Sequence, residues 1–262
     1  MENAVEFSYI FAILVGITLG LIGSGGSILT VPILVYVVGL DAVVATGYSL
    51  FIVGVTALVG TVRNWMGGEL NLRAVVLFGV PSLIAAFLVR RFAIPEVPET
   101  LVTTPVVIGK DAFILVLFAL VMAAAAYRMI FSTPTTVDAD SPVGIRLIGN
   151  GVAIGILAGT VGAGGGFLIV PALIFAGRLT VKSAIASSLA IIAIQSLAGF
   201  AGDMANLKVD WNFLMIFSAF SVLGVFLGKI LSRRFDGERL KKTFGYFLLV
   251  MAATILVAEI TG

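Results

Sequence analysis

The chain contains neither histidine nor cysteine. The commonest general base and metal ligand is therefore missing, and so are thiolate chemistry and any disulfide framework. What is left to do chemistry is hydroxyls, carboxylates and glycine backbone, and the glycines are placed in duplicate. Gly20–Leu34 reads GLIGSGGSILTVPIL, and Gly159–Leu173, 139 positions on, reads GTVGAGGGFLIVPAL. Gly20, Gly23, Gly25 and Gly26 match Gly159, Gly162, Gly164 and Gly165, and Val31-Pro32 matches Val170-Pro171. Glycine permits backbone angles that other residues avoid, and Pro32, six residues after Gly26, suits a helix start or kink. Each copy is predicted to form two helical pieces joined by an unwound loop. Free N–H groups in that loop, together with the positive end of the second piece, favour an anion. The main-chain candidates are Gly23, Ser24, Gly25, Gly26 and Ser27 in one copy and Gly162, Gly164, Gly165 and Gly166 in the other.

A second matched pair follows. Ala45–Phe51 (ATGYSLF) aligns at the same offset with Ala184–Ala190 (AIASSLA), so Ser49 matches Ser188 and Tyr48 matches Ser187. Such hydroxyls either bind a substrate or hydrogen-bond their own helix. Placed beside the glycine loops, Ser49 and Ser188 lead the side-chain candidates, followed by Ser187, Gln195, Ser27, Ser24, Thr46 and Thr56. Both serines are expected to face one central site. On this reading Gly26→Ala and Gly165→Ala should fold normally and lose substrate binding. The competing account is close helix packing, which also uses small residues. Arg63 and Asp203, at the ends of matched segments, and Tyr48 beside the site are candidate gates of an outer vestibule. No acid sits mid-span where a proton relay is usually found. No metal site and no cofactor are expected, and little remains with which to build an enzyme.

The elements that must position these residues are set by composition. Of 262 residues, 60% are hydrophobic and 11% charged, against about 45–50% and 25% in soluble domains. The apolar runs are long and unalternating, as in helices that span hydrocarbon and unlike barrel strands. They cover Phe7–Val38, Ala42–Val62, Arg73–Val89 and Phe113–Phe131, and then Ile145–Ala176, Ala184–Ala201, Trp211–Gly228 and Phe244–Ala258. This predicts an all-α integral membrane protein of about eight transmembrane helices. They form two homologous four-helix halves, residues 1–131 and 145–262, each with a glycine-broken first helix and joined by an external linker, 132–144. The start, MENAVE, is acidic where a signal peptide is basic, and reads as part of a retained first span.

Orientation comes from lysine and arginine in short loops. KILSRRFDGERLKK, the Arg90/Arg91/Lys110 segment and GRLTVK are expected in the cytoplasm, and both termini and the linker outside. With single-crossing broken windows, both halves point the same way and are related by an axis along the membrane normal; windows that cross twice would invert the second half and are rejected because they are expected to put the six-charge loop outside. The basic inner loops account for the pI near 9.0 without any nucleic acid. The reading is a multi-pass protein of the cytoplasmic membrane whose partners are the lipid bilayer and a small anionic substrate. Whether a proton or sodium serves as coupling ion, and whether two copies pair as a homodimer, is left open. A secondary carrier is the leading function, and an anion channel is the alternative.

These residues resemble the sulfite exporter TauE/SafE family, also called the toluenesulfonate uptake permease family. The resemblance rests on the two glycine segments ending in Val-Pro, on DGERLKKTFGYFLLVMA near the end, and on a weaker Gly-Thr-Ser-Leu-like element. That element departs from the family pattern, reading Gly47-Tyr48-Ser49-Leu50 in one half and Ala186-Ser187-Ser188-Leu189 in the other. The resemblance implies transport of small sulfur-containing or organic anions, such as sulfite, sulfonates, thiosulfate or related carboxylates. It does not imply a direction.

Overall fold

The computed structural model describes residues 2–23, 25–89, 92, 100–102, 108–131, 142–161, 166–204, 209–232 and 236–261. Helices make up nearly all of it. In chain order they are α1 (Glu2–Ile22), α2 (Gly25–Pro32) continued by a π-helical turn (Ile33–Val37), α3 (Ala42–Met66), α4 (Leu72–Leu88), α5 (Lys110–Phe131), α6 (Val143–Val161), α7 (Gly166–Phe175), α8 (Val181–Asp203), α9 (Trp211–Ser232) and α10 (Gly237–Thr261). A short antiparallel pair, β1 (Thr100–Val102) and β2 (Ile108–Gly109), precedes α5. Over Val44–Met66, Val181–Asp203 and Trp211–Ser232, the helices α3, α8 and α9 are long and apolar enough to cross a membrane. Shorter apolar stretches lie in α1, α4, α5 and α6. Ile84, Phe87, Leu223, Leu227 and Val250 point outward and are exposed. Helices that are apolar on their outer faces as well as toward the core belong in lipid.

Packing decides how the broken windows run. A methyl group placed on Gly26 would lie 2.3 Å from Leu19 Cγ and 2.9 Å from the Val15 carbonyl oxygen. Leu34, further along, joins the buried cluster of Ala12, Ala45, Tyr48 and Phe217. The chain therefore reverses at Gly23, whose φ is +84°, and α2 runs back along α1. The second window does the same: a methyl on Gly177 would lie 3.1 Å from Leu147 Cδ2, so α7 returns to the level where α6 began. Each broken window is a helical hairpin.

This overturns the expected axis and the count of eight single passes. Helices α3 and α8 hold matched positions in the repeat. A twofold axis parallel to them would make them run in parallel, whereas an axis perpendicular to them makes them antiparallel. They are antiparallel: a methyl on Gly199 would meet Leu50 Cδ1 at 3.2 Å, and one on Gly60 would meet Leu189 Cδ1 at 3.1 Å. The most extensive helix contacts obey the same exchange of halves, α1 with α9 and α4 with α6, α3 with α8, and α5 with α10. The charge argument missed this because both reversals precede the loop 229–242 and leave its side unchanged. Residues 132–141 lie outside the described residues, but the helix ends they join sit beside Phe175 and Arg73. The Arg128 guanidinium is 5.8 Å from the Phe175 ring centroid, and a methyl on Gly144 would lie 4.0 Å from Arg73 Nη2. That is the end of the molecule where Lys229 pairs with Glu69.

Matched residues make matched bonds across the halves. Asn71 caps α4 by accepting from Ala74 N at 2.9 Å, and Asp210 caps α9 by accepting from Phe213 N at 3.1 Å. The Asn71 N–H donates to Ser187 Oγ at 3.0 Å, while the Asp210 N–H donates to Tyr48 Oη at 2.5 Å. Tyrosine and serine thus play one part at equivalent places. Replacing a capping Asn or Asp by alanine costs about 1 kcal/mol, so Asn71→Ala should unfold at a lower temperature in detergent by that equivalent. An unchanged melting temperature would mean the cap is redundant.

Candidate substrate site at the glycine break

The first break is tightly specified. Helix α1 ends at Ile22, Gly23 donates its N–H to Leu19 O at 2.8 Å, and α2 starts at Gly25. The N–H groups of Gly25, Gly26 and Ser27 lie in the first turn of α2, where no intrahelical carbonyl is available to them. Ser24 lies outside the described residues. The Gly23 carbonyl accepts from Ser188 Oγ at 3.3 Å, and the same hydroxyl reaches Ile185 O at 2.8 Å. A methyl on Gly23 would lie 2.7 Å from Ser188 Oγ, so both the positive φ and the space require glycine here.

Other elements converge on this break. Ser187, fully buried, takes the N–H of Asn71 from the turn that joins α3 to α4. Two residues earlier, Glu69 donates its N–H to Asn64 O at 3.1 Å and pairs through its carboxylate with Lys229 near the end of α9. Asn64 is 2% exposed, and its Oδ1 has no hydrogen-bond partner. A methyl on Gly20 would lie 3.1 Å from the Lys229 main-chain nitrogen. The result is a partly buried polar region with one glycine break, two serine hydroxyls, a buried amide and one cation held by a carboxylate. Chemically it can offer hydrogen-bond donors and one positive charge to a small anion.

The remaining candidates fall elsewhere. Gly162, Gly164 and Gly165 lie outside the described residues, and Gly166 begins α7. Ser49 is buried in α3 but does not meet Ser188. Leu50 sits level with Gly199 and Leu189 with Gly60, so roughly ten residues of helix, on the order of 15 Å, separate the two serines. The expectation that both face a single central site does not hold, because inverting one half carries its copy to the other end. Gln195 lies between these levels and donates from Nε2 to Ser82 Oγ at 3.0 Å; its repeat partner Thr56 is buried with Oγ1 unpaired. Thr46 is half-buried near the start of α3. Arg63 ends α3 and Asp203 ends α8; since these helices are antiparallel, the two charges sit at opposite ends and do not share a vestibule. Gly26 packs α2 onto Leu19, so alanine there disturbs the fold and cannot report on the site alone.

Sequence reasoning missed Lys229, Glu69, Asn64 and Asn71. Comparing the repeats aligns equivalent positions, and these residues meet as partners that are not equivalent. The two serines at matched positions on the interhelical contacts, Ser82 and Ser221, were legible at the repeat offset and went unread. Ser221 Oγ donates to Ala12 O at 3.0 Å across α1 and α9.

Residues 8–255 match the family described as Sulfite exporter TauE/SafE. A probable membrane transporter protein of Xylella fastidiosa (strain 9a5c) is 34% identical over 252 residues, covering 93% of this chain and 91% of that protein. Probable membrane transporter protein MJ0441 of Methanocaldococcus jannaschii is 28% identical over 217 residues, covering 76% of this chain and 75% of that protein. Probable membrane transporter protein YunE of Bacillus subtilis is 24% identical over 276 residues, covering 95% and 97%. With its apolar helices and a match over nearly its whole length, the chain belongs to the sulfite exporter TauE/SafE family of membrane transporters.

Proposed function

We propose that the protein is a secondary carrier of small sulfur-containing or organic anions across the cytoplasmic membrane. Its two halves are inverted repeats, with the pseudo-twofold axis in the membrane plane. The observation that carries this reading is the Gly23 break, held open by Ser188 and lying beside a cation, in a chain of a transporter family. The family's description supports sulfite as the first substrate to try, with sulfonates, thiosulfate and related carboxylates beside it. Inverted halves that rock against each other are an arrangement that allows alternating access. The end carrying Lys229 faces the cytoplasm and both chain termini face outside. Of the sixteen Lys and Arg residues, all but Arg90, Arg91, Lys110 and Lys208 belong by chain position to that end.

The test is counterflow in proteoliposomes. A carrier preloaded with unlabelled sulfite accelerates uptake of labelled sulfite, whereas a channel does not. In that assay Ser188→Ala should raise the KM about tenfold or more, the equivalent of losing a hydrogen bond to a charged group, about 1.5–3 kcal/mol. Normal transport at limiting sulfite, in a variant whose melting temperature has fallen, would show that Ser188 only braces Gly23.

A further inference from the structure

We propose that Lys229 is the cation that receives the transported anion at this end of the molecule, and that the Glu69 carboxylate occupies it when no substrate is present. The inference rests on the carrier reading above. Lys229 has only 16% of its side chain exposed and Glu69 has 28%, so each is withdrawn from water and needs its partner. A partly buried ammonium left alone is costly. A carboxylate is itself a small oxyanion, and the groups able to replace it on Lys229 without leaving a bare charge are other small oxyanions. Exchanging Glu69 for substrate keeps the ammonium paired throughout, and the group released is the more exposed member of the pair.

The surroundings fit an exchange at the substrate site better than a remote staple. Lys229 abuts Gly20, three residues before the break. Glu69 lies on the turn that also supplies the Asn71 N–H to Ser187, next to the serine that holds Gly23. That turn begins at Gly67 and Gly68. A side-chain carbon on Gly68 would have no atom within 4 Å, so the segment carrying Glu69 has room to move. Beneath it, Asn64 is 2% exposed with one amide atom unpaired. Rotating an amide by half a turn exchanges an acceptor for two donors, so Asn64 can present N–H to an anion. The carboxylate is also no part of the repeated packing plan. At the positions matched to Glu69 and Lys229 the sequence carries Lys208 and Arg90, two cations, which lie outside the described residues.

The experiment compares Glu69→Gln, Lys229→Gln, the double Gln variant and the exchange Glu69→Lys/Lys229→Glu, with sulfite as the probe. Each full-length protein is measured by sulfite counterflow and by melting temperature with and without sulfite. Glu69→Gln removes the internal competitor, so its KM should fall several-fold and its sulfite-induced thermal shift should grow. Lys229→Gln should raise KM at least tenfold and lose the shift, and the double Gln variant should resemble it. The charge exchange restores the ion pair, so its melting temperature should recover toward wild type while its KM stays high. Recovery of wild-type KM in the exchanged protein would overturn the proposal, as would a rise in KM for Glu69→Gln equal to that for Lys229→Gln. Either result would make the pair a staple. If the exchanged protein does not fold, the opposite responses expected of the two single Gln variants decide the matter. Should the wild type show neither shift nor counterflow with sulfite, thiosulfate or sulfoacetate, the carrier reading falls and takes this proposal with it. Transport by the wild type with unaltered KM in Lys229→Gln removes the proposal alone.

Discussion

Gly155→Ala is expected to destabilise the protein by about 3 kcal/mol or more, while Gly149→Ala, six residues earlier in the same helix, should be neutral or stabilising. A methyl on Gly155 would sit 2.3 Å from the Ser82 carbonyl oxygen, 2.8 Å from Ser82 Cα and 2.9 Å from Ala85 Cβ. Two of those atoms are backbone and cannot turn aside, so α4 and α6 would have to separate along a contact that runs much of their length. Close backbone approach through small residues is the main source of helix association in lipid, where burial of apolar surface gives no advantage over lipid contact. Gly149 has nothing within 4 Å and lies within a helix, so alanine there gains up to about 1 kcal/mol of helix propensity. Thermal unfolding in detergent should therefore separate the two variants widely. If Gly155→Ala melts with wild type, or if both variants move together, the α4/α6 contact is not as close as described. The same geometry governs Gly16, Gly224 and Gly228 between α1 and α9, where methyl groups would lie 1.8, 2.2 and 2.3 Å from facing carbonyl oxygens.

In intact cells, an impermeant maleimide should modify a single cysteine at Gly202 and spare single cysteines at both Thr136 and Asp236. The chain has no native cysteine, so each variant reports one position. Gly202 is exposed at the end of α8, opposite the end where Lys229 meets Glu69. Thr136 lies in the linker whose flanking helices end beside Arg73 and Phe175, and Asp236 in the turn between α9 and α10. Inverted halves put these last two on one side. Halves related by an axis along the membrane normal would put them on opposite sides, with Thr136 labelled and Asp236 protected. The contrast is all or none, and labelling of Thr136 from outside would overturn the inverted arrangement.

Composition and repeat offset by themselves determined that the chain lives in a membrane, which apolar stretches are helices, and that the first window breaks at Gly23. They also singled out Gly23 and Ser188, and the Tyr48/Ser187 equivalence, because these depend on local backbone freedom and on matched position. Tertiary structure decided the direction of each element after its break. Whether Gly23 bends a helix or reverses it depends on what Gly26 and Leu34 pack against, and Leu19, Val15 and Ala12 are contacts that no local pattern announces. One reversal in each half turns a parallel repeat into an inverted one. It carries Ser49 about 15 Å from Ser188. The partners Lys229 and Glu69 were equally invisible. They are 160 residues apart, are not equivalent to each other in the repeat, and meet only because α9 runs parallel to α1 and ends beside the turn between α3 and α4.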